Sequence, residues 1–161
     1  ERHVSRVVGG LYEAAKPHLG TADLVLTWED DIEPPEGAVE KLLAHFWQDV
    51  GAVSAMVRQR FVNKQMTCYS FIDDDLHRCR MVNPPKEPWA FPCECTGFGF
   101  ALMRRELWRK IKFRISPVWD DTGTVPYYDW AFCGDAKRLG FRWLAHNGVH
   151  VKHYNEDGSY V

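Results

Sequence analysis

The order of apolar and polar residues predicts a helix followed by a buried strand in the first part of the chain. Apolar residues recur at helical spacing between Val4 and Ala15, which indicates an amphipathic helix. Gly9-Gly10 inside this stretch hints at close packing, and Pro17 is expected to end the helix. The continuous apolar, β-favouring run at 24–28 then predicts a buried strand.

Similar patterns continue to the end of the chain. Further helices are predicted at 36–47, 104–111 and 128–139, and further strands at 51–57, 98–103 and 141–145. Residues 58–92 are expected to form short strands and loops over the sheet face, and a loop with Asp120-Asp121 and Gly123 leads to the last helix. Alternating strands and helices predict an α/β fold.

Composition limits the possible classes of protein. A chain of 161 residues suits one domain, here 1–161, and its apolar content of 45% excludes disorder. The formal net charge of −2 gives no basic face for nucleic acid. No apolar run approaches the ~20 residues of a membrane span, and no signal peptide is visible.

Cysteine usage favours a reducing compartment. The five cysteines are an odd number, and Cys93-Glu94-Cys95 lacks the two-residue spacer of a zinc or redox motif. We therefore expect reduced thiols and a cytoplasmic location, with a single disulfide in a secreted or luminal protein as the alternative.

An acidic triplet directly follows the first predicted strand. The sequence runs Trp28-Glu29-Asp30-Asp31 and continues into Ile32-Glu33-Pro34-Pro35, which interrupts regular structure. Open α/β sheets bind ligands at the carboxyl ends of their strands, and hard divalent cations prefer carboxylate oxygen. The pattern predicts a metal site facing a phosphate, and a solvated acidic turn is the alternative.

The triplet resembles the acidic DxD-like metal motif of GT-A glycosyltransferases, particularly the family 2-like group. In that group an Asp-x-Asp or Asp-Asp-Asp triplet holds a divalent ion against the diphosphate of a nucleotide-sugar. The resemblance implies Mn²⁺ or Mg²⁺ as cofactor, Asp31 as metal ligand, and Glu29 and Asp30 as donor-binding residues. Here the first position is glutamate rather than aspartate.

A second acidic motif stands at the start of the last predicted helix. Residues 127–132 read Tyr-Tyr-Asp-Trp-Ala-Phe and resemble the segment in which family 2-like enzymes carry Glu-Asp. The resemblance implies Asp129 as the catalytic base and puts Tyr128 in place of the glutamate. A carboxylate in an aromatic pocket has a raised proton affinity, which suits a general base. A helix-capping role worth about 1 kcal/mol is the alternative.

A histidine-containing strand follows that helix. GT-A enzymes often complete the metal site with a histidine at this distance, and the resemblance implies His153 rather than His150. The two side chains should face opposite sides of an extended chain, so that only one reaches the ion. The alternative is a surface histidine.

The segment around Gly97-Phe98-Gly99 resembles a small-residue turn of related enzymes. There the backbone would approach the donor sugar, with Glu94 also in contact. A β-bulge or tight strand packing is the alternative. Three aromatic residues are candidates for stacking on an acceptor ring or donor: Trp89, Trp119 and Tyr127.

Together the resemblance implies an inverting, hexosyltransferase-type enzyme that moves a sugar from a UDP- or GDP-sugar to the hydroxyl of a saccharide or other acceptor. It implies a GT-A-like (Rossmann-like) mixed sheet flanked by helices, lacking the first strand–helix units, because only 28 residues precede Glu29. The first strand would then have an unpaired edge, which predicts self-association. The alternatives are a nucleotidyltransferase, which should show a Gly-rich basic loop, and a truncated or degenerate domain that binds a sugar or partner without turnover.

Overall fold

The computed structural model describes residues 2–47, 49–59, 66–73, 75, 78–114, 116–120 and 123–161, and for 2–7, 116–120 and 123–127 the backbone alone. The helices are α1 (Arg2–Ala15), α2 (Ala38–Leu43), α3 (Arg105–Lys110) and α4 (Tyr128–Arg138), with a 3-10 turn at Lys16–His18. The strands are β1 (Leu24–Trp28), β2 (Ile32–Glu33), β3 (Val50–Met56), β4 (Cys68–Phe71), β5 (Cys79–Met81), β6 (Ala90–Cys93), β7 (Cys95–Thr96), β8 (Phe100–Arg104), β9 (Ser116–Asp120), β10 (Gly123–Tyr127), β11 (Arg142–His150) and β12 (Lys152–His153). None of the helices described is long and apolar enough to cross a membrane.

A five-stranded mixed sheet forms the centre of the molecule, in the order β1-β8-β3-β11-β6. β3 and β11 run parallel, and the other neighbouring pairs are antiparallel. Every residue of β3 is buried, as expected for a central strand covered on both faces. The predicted α/β class is confirmed in this form, a mixed sheet with helices.

Two apolar clusters lie on the two sides of this sheet. The larger one joins α3, α4 and β8 and is rich in aromatic rings, with Phe98 stacked on Trp143 at 5.6 Å between ring centroids. The smaller one lies beneath α2 and contains Leu42 and Phe100, both fully buried. Each large apolar side chain contributes roughly 1.5–3 kcal/mol on burial, so the two clusters fix the sheet against its helices.

The strand β1 forms one edge of the sheet. The N–H of Glu29 donates to the carbonyl of Gly99 at 2.9 Å and that of Arg105 to the carbonyl of Asp23 at 3.0 Å, so every second backbone position of β1 faces β8. The alternate positions, Leu24, Leu26 and Trp28, direct their backbone groups to the open side. No described strand pairs there.

Three predicted segments differ from the structure. The loop expected before α4 is instead the β9–β10 hairpin, in which Gly123 pairs with Asp120. The hairpin pairs Thr124 with Trp119 and Val125 with Val118, which are residue types that favour strands, whereas the neighbouring acidic residues and Gly123 favoured the prediction of a loop.

The second predicted helix, 36–47, is reduced to the six residues of α2. Gly37 has φ +69°, a left-handed conformation that stops the helix from starting earlier. At the other end the backbone tightens into a turn, with the N–H of His45 donating to the carbonyl of Leu42, and the His45 side chain is buried. β11, in contrast, extends to His150 rather than ending at residue 145.

Candidate functional site

Asp129 lies in the first turn of α4, beside the end of β1. Its Oδ1 accepts a hydrogen bond from the N–H of Trp130 at 2.9 Å. Burial, with a smaller contribution from the charge of Glu29, raises the pKa of Asp129 to about 7. The carboxylate can therefore exchange a proton near neutral pH, which an ordinary helix-terminal aspartate does not do.

Glu29 faces Asp129 from the end of β1. Its Oε1 accepts a hydrogen bond from the hydroxyl of Tyr128 at 3.3 Å. Tyr128 is in turn hydrogen-bonded to Tyr12 of α1. The two carboxylates therefore belong to one cluster, and the hydroxyl groups of Tyr12 and Tyr128 form a hydrogen-bonded chain that ends at Glu29.

Gly97 and Gly99 leave space next to these carboxylates. A Cβ atom on Gly97 would lie 3.9 Å from Oδ2 of Asp129. A Cβ on Gly99 would lie 3.4 Å from Oε2 of Glu29 and 3.3 Å from the Ile32 side chain. Neither glycine has a positive φ. These positions therefore allow the backbone to approach the carboxylates closely, and they do not provide a special backbone conformation.

Asp31 and His153 meet at a second point, where β2 pairs with β12. The register sets His153 opposite Ile32, and the N–H of Tyr154 donates to the carbonyl of Asp31 at 2.9 Å. Nε2 of His153 then lies 3.5 Å from Oδ2 of Asp31. The sequence prediction named these two residues as the metal ligands, and the fold brings them into contact.

The orientation of the His153 ring suits metal ligation. Nδ1 donates to the carbonyl of Arg58 at 2.8 Å, so in the neutral imidazole the lone pair is on Nε2. Nε2 is buried and makes no hydrogen bond within the described part of the chain. A backbone carbonyl that fixes the tautomer in this way is the usual support of a metal-bound histidine.

The donor set of one carboxylate and one imidazole fits a divalent ion that accepts both oxygen and nitrogen, such as Mn²⁺. Among the described residues no group of three or more His, Cys, Asp or Glu is arranged to hold a metal. Asp31 and His153 would thus supply two ligands and leave the remaining positions for water or phosphate oxygen.

His150 lies elsewhere. It is exposed, and its Nε2 contacts the carbonyl of Asn147 at 2.8 Å. Strand alternation and a register shift between His146 and His150 account for this separation.

Several predicted site residues are not brought to the cluster. Glu94 pairs with Lys137 at 2.6 Å and accepts the N–H of Phe71 at 2.6 Å, near the last turn of α4. At a rise of 1.5 Å per residue, Lys137 lies about 12 Å along the helix axis from Asp129. Phe98 is only 1% exposed and fills the core, because an apolar side chain between two glycines is as suitable for packing as for binding.

The remaining candidates fall outside the cluster or outside the described side chains. Asp30 is exposed in the turn after β1. Trp89 is 60% exposed and contacts the ring of His45 at 4.7 Å. Trp119 pairs with Thr124 in the β9–β10 hairpin, and Tyr127 with Ser116, but their side chains are not among those described.

Sequence reasoning missed two contributors to the cluster, Tyr12 and Thr67. Tyr12 sits on the buried side of α1, where helical spacing marks only a core position. Thr67 lies beside Gly97 and donates to the carbonyl of Val57 at 3.1 Å. Neither carries a sequence signal that separates it from an ordinary packing residue.

Comparison with known proteins identifies a structural relative. No protein-family model and no curated protein matches the sequence. The crystal structure of A197 from STIV superposes with a TM-score of 0.63 at 19% sequence identity. The match covers 96% of this chain and 74% of that one, so the likeness in fold extends over almost the whole of this chain.

Proposed function

We propose that the chain is a metal-dependent glycosyltransferase domain of the GT-A type, family 2-like, that transfers a sugar from a nucleoside diphosphate sugar to an acceptor hydroxyl with inversion. The observation that carries the proposal is the contact of Asp31 with His153, two positions along the chain from Glu29, whose charge raises the pKa of the buried Asp129. These four residues come from three distant parts of the sequence. A purely structural role would not require a proton-exchanging carboxylate and a metal-type imidazole at one end of β1.

In this proposal Asp129 removes the proton from the acceptor hydroxyl, which attacks the anomeric carbon from the face opposite the leaving group. A pKa of about 7 matches that task, because the base is then both available and strong near neutral pH. Glu29, held by Tyr128, and the exposed Asp30 would contact the donor, and Gly97 and Gly99 would admit its sugar.

Asp31 and His153 would hold Mn²⁺ or Mg²⁺, with the mixed oxygen and nitrogen donors favouring Mn²⁺. When bound, the divalent ion supplies positive charge that offsets the charge on the departing diphosphate. The proposed donor is a UDP- or GDP-sugar, the acceptor a saccharide or another hydroxyl compound, and the location the cytoplasm.

Calorimetric titration with UDP and with GDP, each with and without Mn²⁺, tests the proposal. We expect binding of one nucleotide that requires the ion and is abolished in Asp31→Ala. Glu36→Ala, an exposed acid of the same loop, should bind as the wild type does. Equal binding in Asp31→Ala would refute the metal assignment.

Turnover separates the enzyme from the binding-only alternative. Hydrolysis or transfer from a matching nucleotide-sugar, detected as free nucleoside diphosphate, supports the enzyme. Metal-dependent binding without any release of diphosphate, across a panel of donors and acceptors, would favour a degenerate domain that binds a sugar.

A further inference from the structure

The acidic turn after β1 is bracketed by Trp28 and Ile32. Trp28 is the last residue of β1 and Ile32 is the first residue of β2, so residues 29–31 form the whole connection between the two strands. The N–H of Ile32 donates to the carbonyl of Glu29 at 3.2 Å. A single backbone hydrogen bond of this length leaves a three-residue turn with considerable conformational freedom.

The side chain of Trp28 makes a second connection across the turn. Its indole N–H donates to the carbonyl of Ile32 at 2.8 Å, and its ring meets Phe100 edge-on, with 5.5 Å between ring centroids. Phe100 is fully buried, whereas Trp28 is 58% exposed. The one polar atom of a tryptophan side chain is this N–H donor. Trp28 therefore uses its donor on the turn and leaves most of its ring in solvent.

The register of β2 and β12 explains why β12 does not use the Ile32 carbonyl. Ile32 lies directly opposite His153, and the N–H of Tyr154 donates to the carbonyl of Asp31 at 2.9 Å. Successive backbone carbonyls of a strand point to opposite sides, so the carbonyl of Ile32 points away from β12. The backbone of His153 also points away from β2, since its N–H donates to the carbonyl of Val161 at 3.4 Å. The indole supplies the donor that β12 cannot.

We propose that Trp28 is a positioning residue that holds the acidic turn in the conformation in which Asp31 meets His153. Oδ2 of Asp31 lies 3.5 Å from Nε2 of His153, and this contact depends on the path of the turn. β12 fixes the carbonyl of Asp31, and the indole fixes the next carbonyl, that of Ile32. The consequence for metal binding rests on the proposed function, whereas the restraint on the turn does not.

A restrained turn lowers the cost of binding a divalent ion at Asp31 and His153. Without the indole donor the turn samples more conformations, and the ion must order it on binding, so the affinity falls by that ordering cost. Once the ion is bound, the geometry is the same as in the wild type. Loss of the donor should therefore raise the KM for the metal-bound nucleotide-sugar and leave kcat at saturating Mn²⁺ nearly unchanged.

The substitution Trp28→Phe tests the restraint, because it removes the N–H and keeps an aromatic ring beside Phe100. Amide hydrogen exchange, followed by NMR without metal, reports on the N–H groups of Ile32 and Tyr154. We expect both to exchange faster by up to about tenfold, as for the loss of one hydrogen bond.

Trp47→Phe is the matched control. Trp47 is 48% exposed and lies against the ring of His45 at 5.6 Å, on another surface of the protein. This variant should leave the exchange of both amides as in the wild type. Unchanged exchange in Trp28→Phe, or an equal change in the two variants, would overturn the proposal.

Calorimetric titration with Mn²⁺ in the presence of UDP or GDP tests the consequence. Trp28→Phe should bind Mn²⁺ about tenfold more weakly, the lower end for residues that support metal ligands, and excess Mn²⁺ should restore turnover. Faster exchange together with wild-type Mn²⁺ affinity would overturn the role in metal binding. Faster exchange in Trp28→Phe while the wild type binds no Mn²⁺ would support the restraint on the turn and refute the proposed function.

Discussion

At the scale of single residues, Asp129 is subject to opposing influences. Burial and the negative charge of Glu29 raise its pKa, while the N–H of Trp130 lowers it, and the balance lies at about 7. The basic form therefore becomes dominant only above that pH. We predict that a rate limited by Asp129 rises with pH and levels off above about 8, with a midpoint near 7 in the pH profile of kcat/KM. A profile that is flat from pH 5.5 to 8.5 would contradict this.

The substitution Asp129→Asn separates a base from a helix-terminal aspartate. Asparagine keeps the size and can still accept the N–H of Trp130, but it cannot take a proton. We predict normal donor binding by calorimetry and a loss of turnover of at least ~100-fold, the lower end for general-base catalysis. Asp135→Asn, on the same helix but in ion pairs with Arg114 and Arg138, is the control and should retain turnover. Near-normal turnover in Asp129→Asn would shift the assignment to Asp120 or Asp121.

A buried histidine pair couples stability to pH. His45 and His146 are 3% and 5% exposed, with their rings 5.0 Å apart, and Nδ1 of His45 has no hydrogen bond among the described residues. Burial lowers the pKa of both, and the charges of His45 and of Lys41 lower that of His146 further. Since each folded pKa lies below the unfolded value of about 6.5, both histidines favour the folded state above that pH.

We therefore predict that the two histidines contribute a decrease in the free energy of unfolding as the pH drops below about 6.5, because the unfolded chain protonates them more readily than the folded chain does. The raised pKa of Asp129 contributes in the opposite direction, so the contribution of the histidines is read from the difference between variant and wild type. Urea denaturation at pH 7.5 and pH 5.5 measures the difference. Relative to the wild type, His45→Gln should be less destabilised by the change from pH 7.5 to pH 5.5, whereas His18→Gln, at an exposed position, should respond to pH as the wild type does. An equal acid sensitivity of the two variants would exclude the pair as the cause.

At the scale of elements, the central strand β3 depends on a glycine. A Cβ atom on Gly51 would lie 2.7 Å from Cβ of Phe141 and 2.8 Å from Cδ1 of Leu107. Gly51→Ala should therefore overpack the core and cost about 1–3 kcal/mol, which lowers the thermal midpoint by roughly 2–4 °C per kcal/mol.

Gly10→Ala is the matched control for that change. A Cβ there meets nothing within 4 Å, and alanine in a helix is up to about 1 kcal/mol better than glycine. We expect this variant of α1 to be at least as stable as the wild type. Similar thermal midpoints for both alanine variants in differential scanning calorimetry would contradict the prediction, because the core around β3 would then accommodate the added methyl group without loss of stability.

The open side of β1 predicts self-association. The backbone groups of Leu24, Leu26 and Trp28 point away from β8, and the Trp28 side chain is 58% exposed. An uncovered apolar edge strand is a template for pairing with another copy. Sedimentation velocity should show association that grows with protein concentration and weakens in Leu24→Lys. Leu11→Lys, at an exposed helix position, should not weaken it, and a monomer at all concentrations would contradict the prediction.

At the scale of the whole molecule, periodicity identified most of the longer elements but not which of them lie side by side. β1, β3, β8 and α4 follow from apolar spacing, because a buried strand and an amphipathic helix differ locally in sequence. The order β1-β8-β3-β11-β6 depends on contacts between distant segments, which spacing does not encode.

The site residues that could be predicted from the sequence are those that directly follow a strand or begin a helix. The contact of Asp31 with His153 followed from resemblance to a motif order. The partner of Glu94, Lys137, lies 43 positions later on another element, and no local pattern points to it. Phe98 was predicted to lie at the donor site but is in the core. A phenylalanine between two glycines can serve either role, and the local sequence does not distinguish them.

The two-stranded ladder of β2 and β12 determines when the contact between Asp31 and His153 can form. It joins residues separated by most of the chain, as in the ion pair of Lys152 with Glu33, 119 positions apart. Chains emerge from the ribosome amino terminus first. Asp31 is therefore made long before His153, and a nascent chain cannot form this contact until β12 has been released.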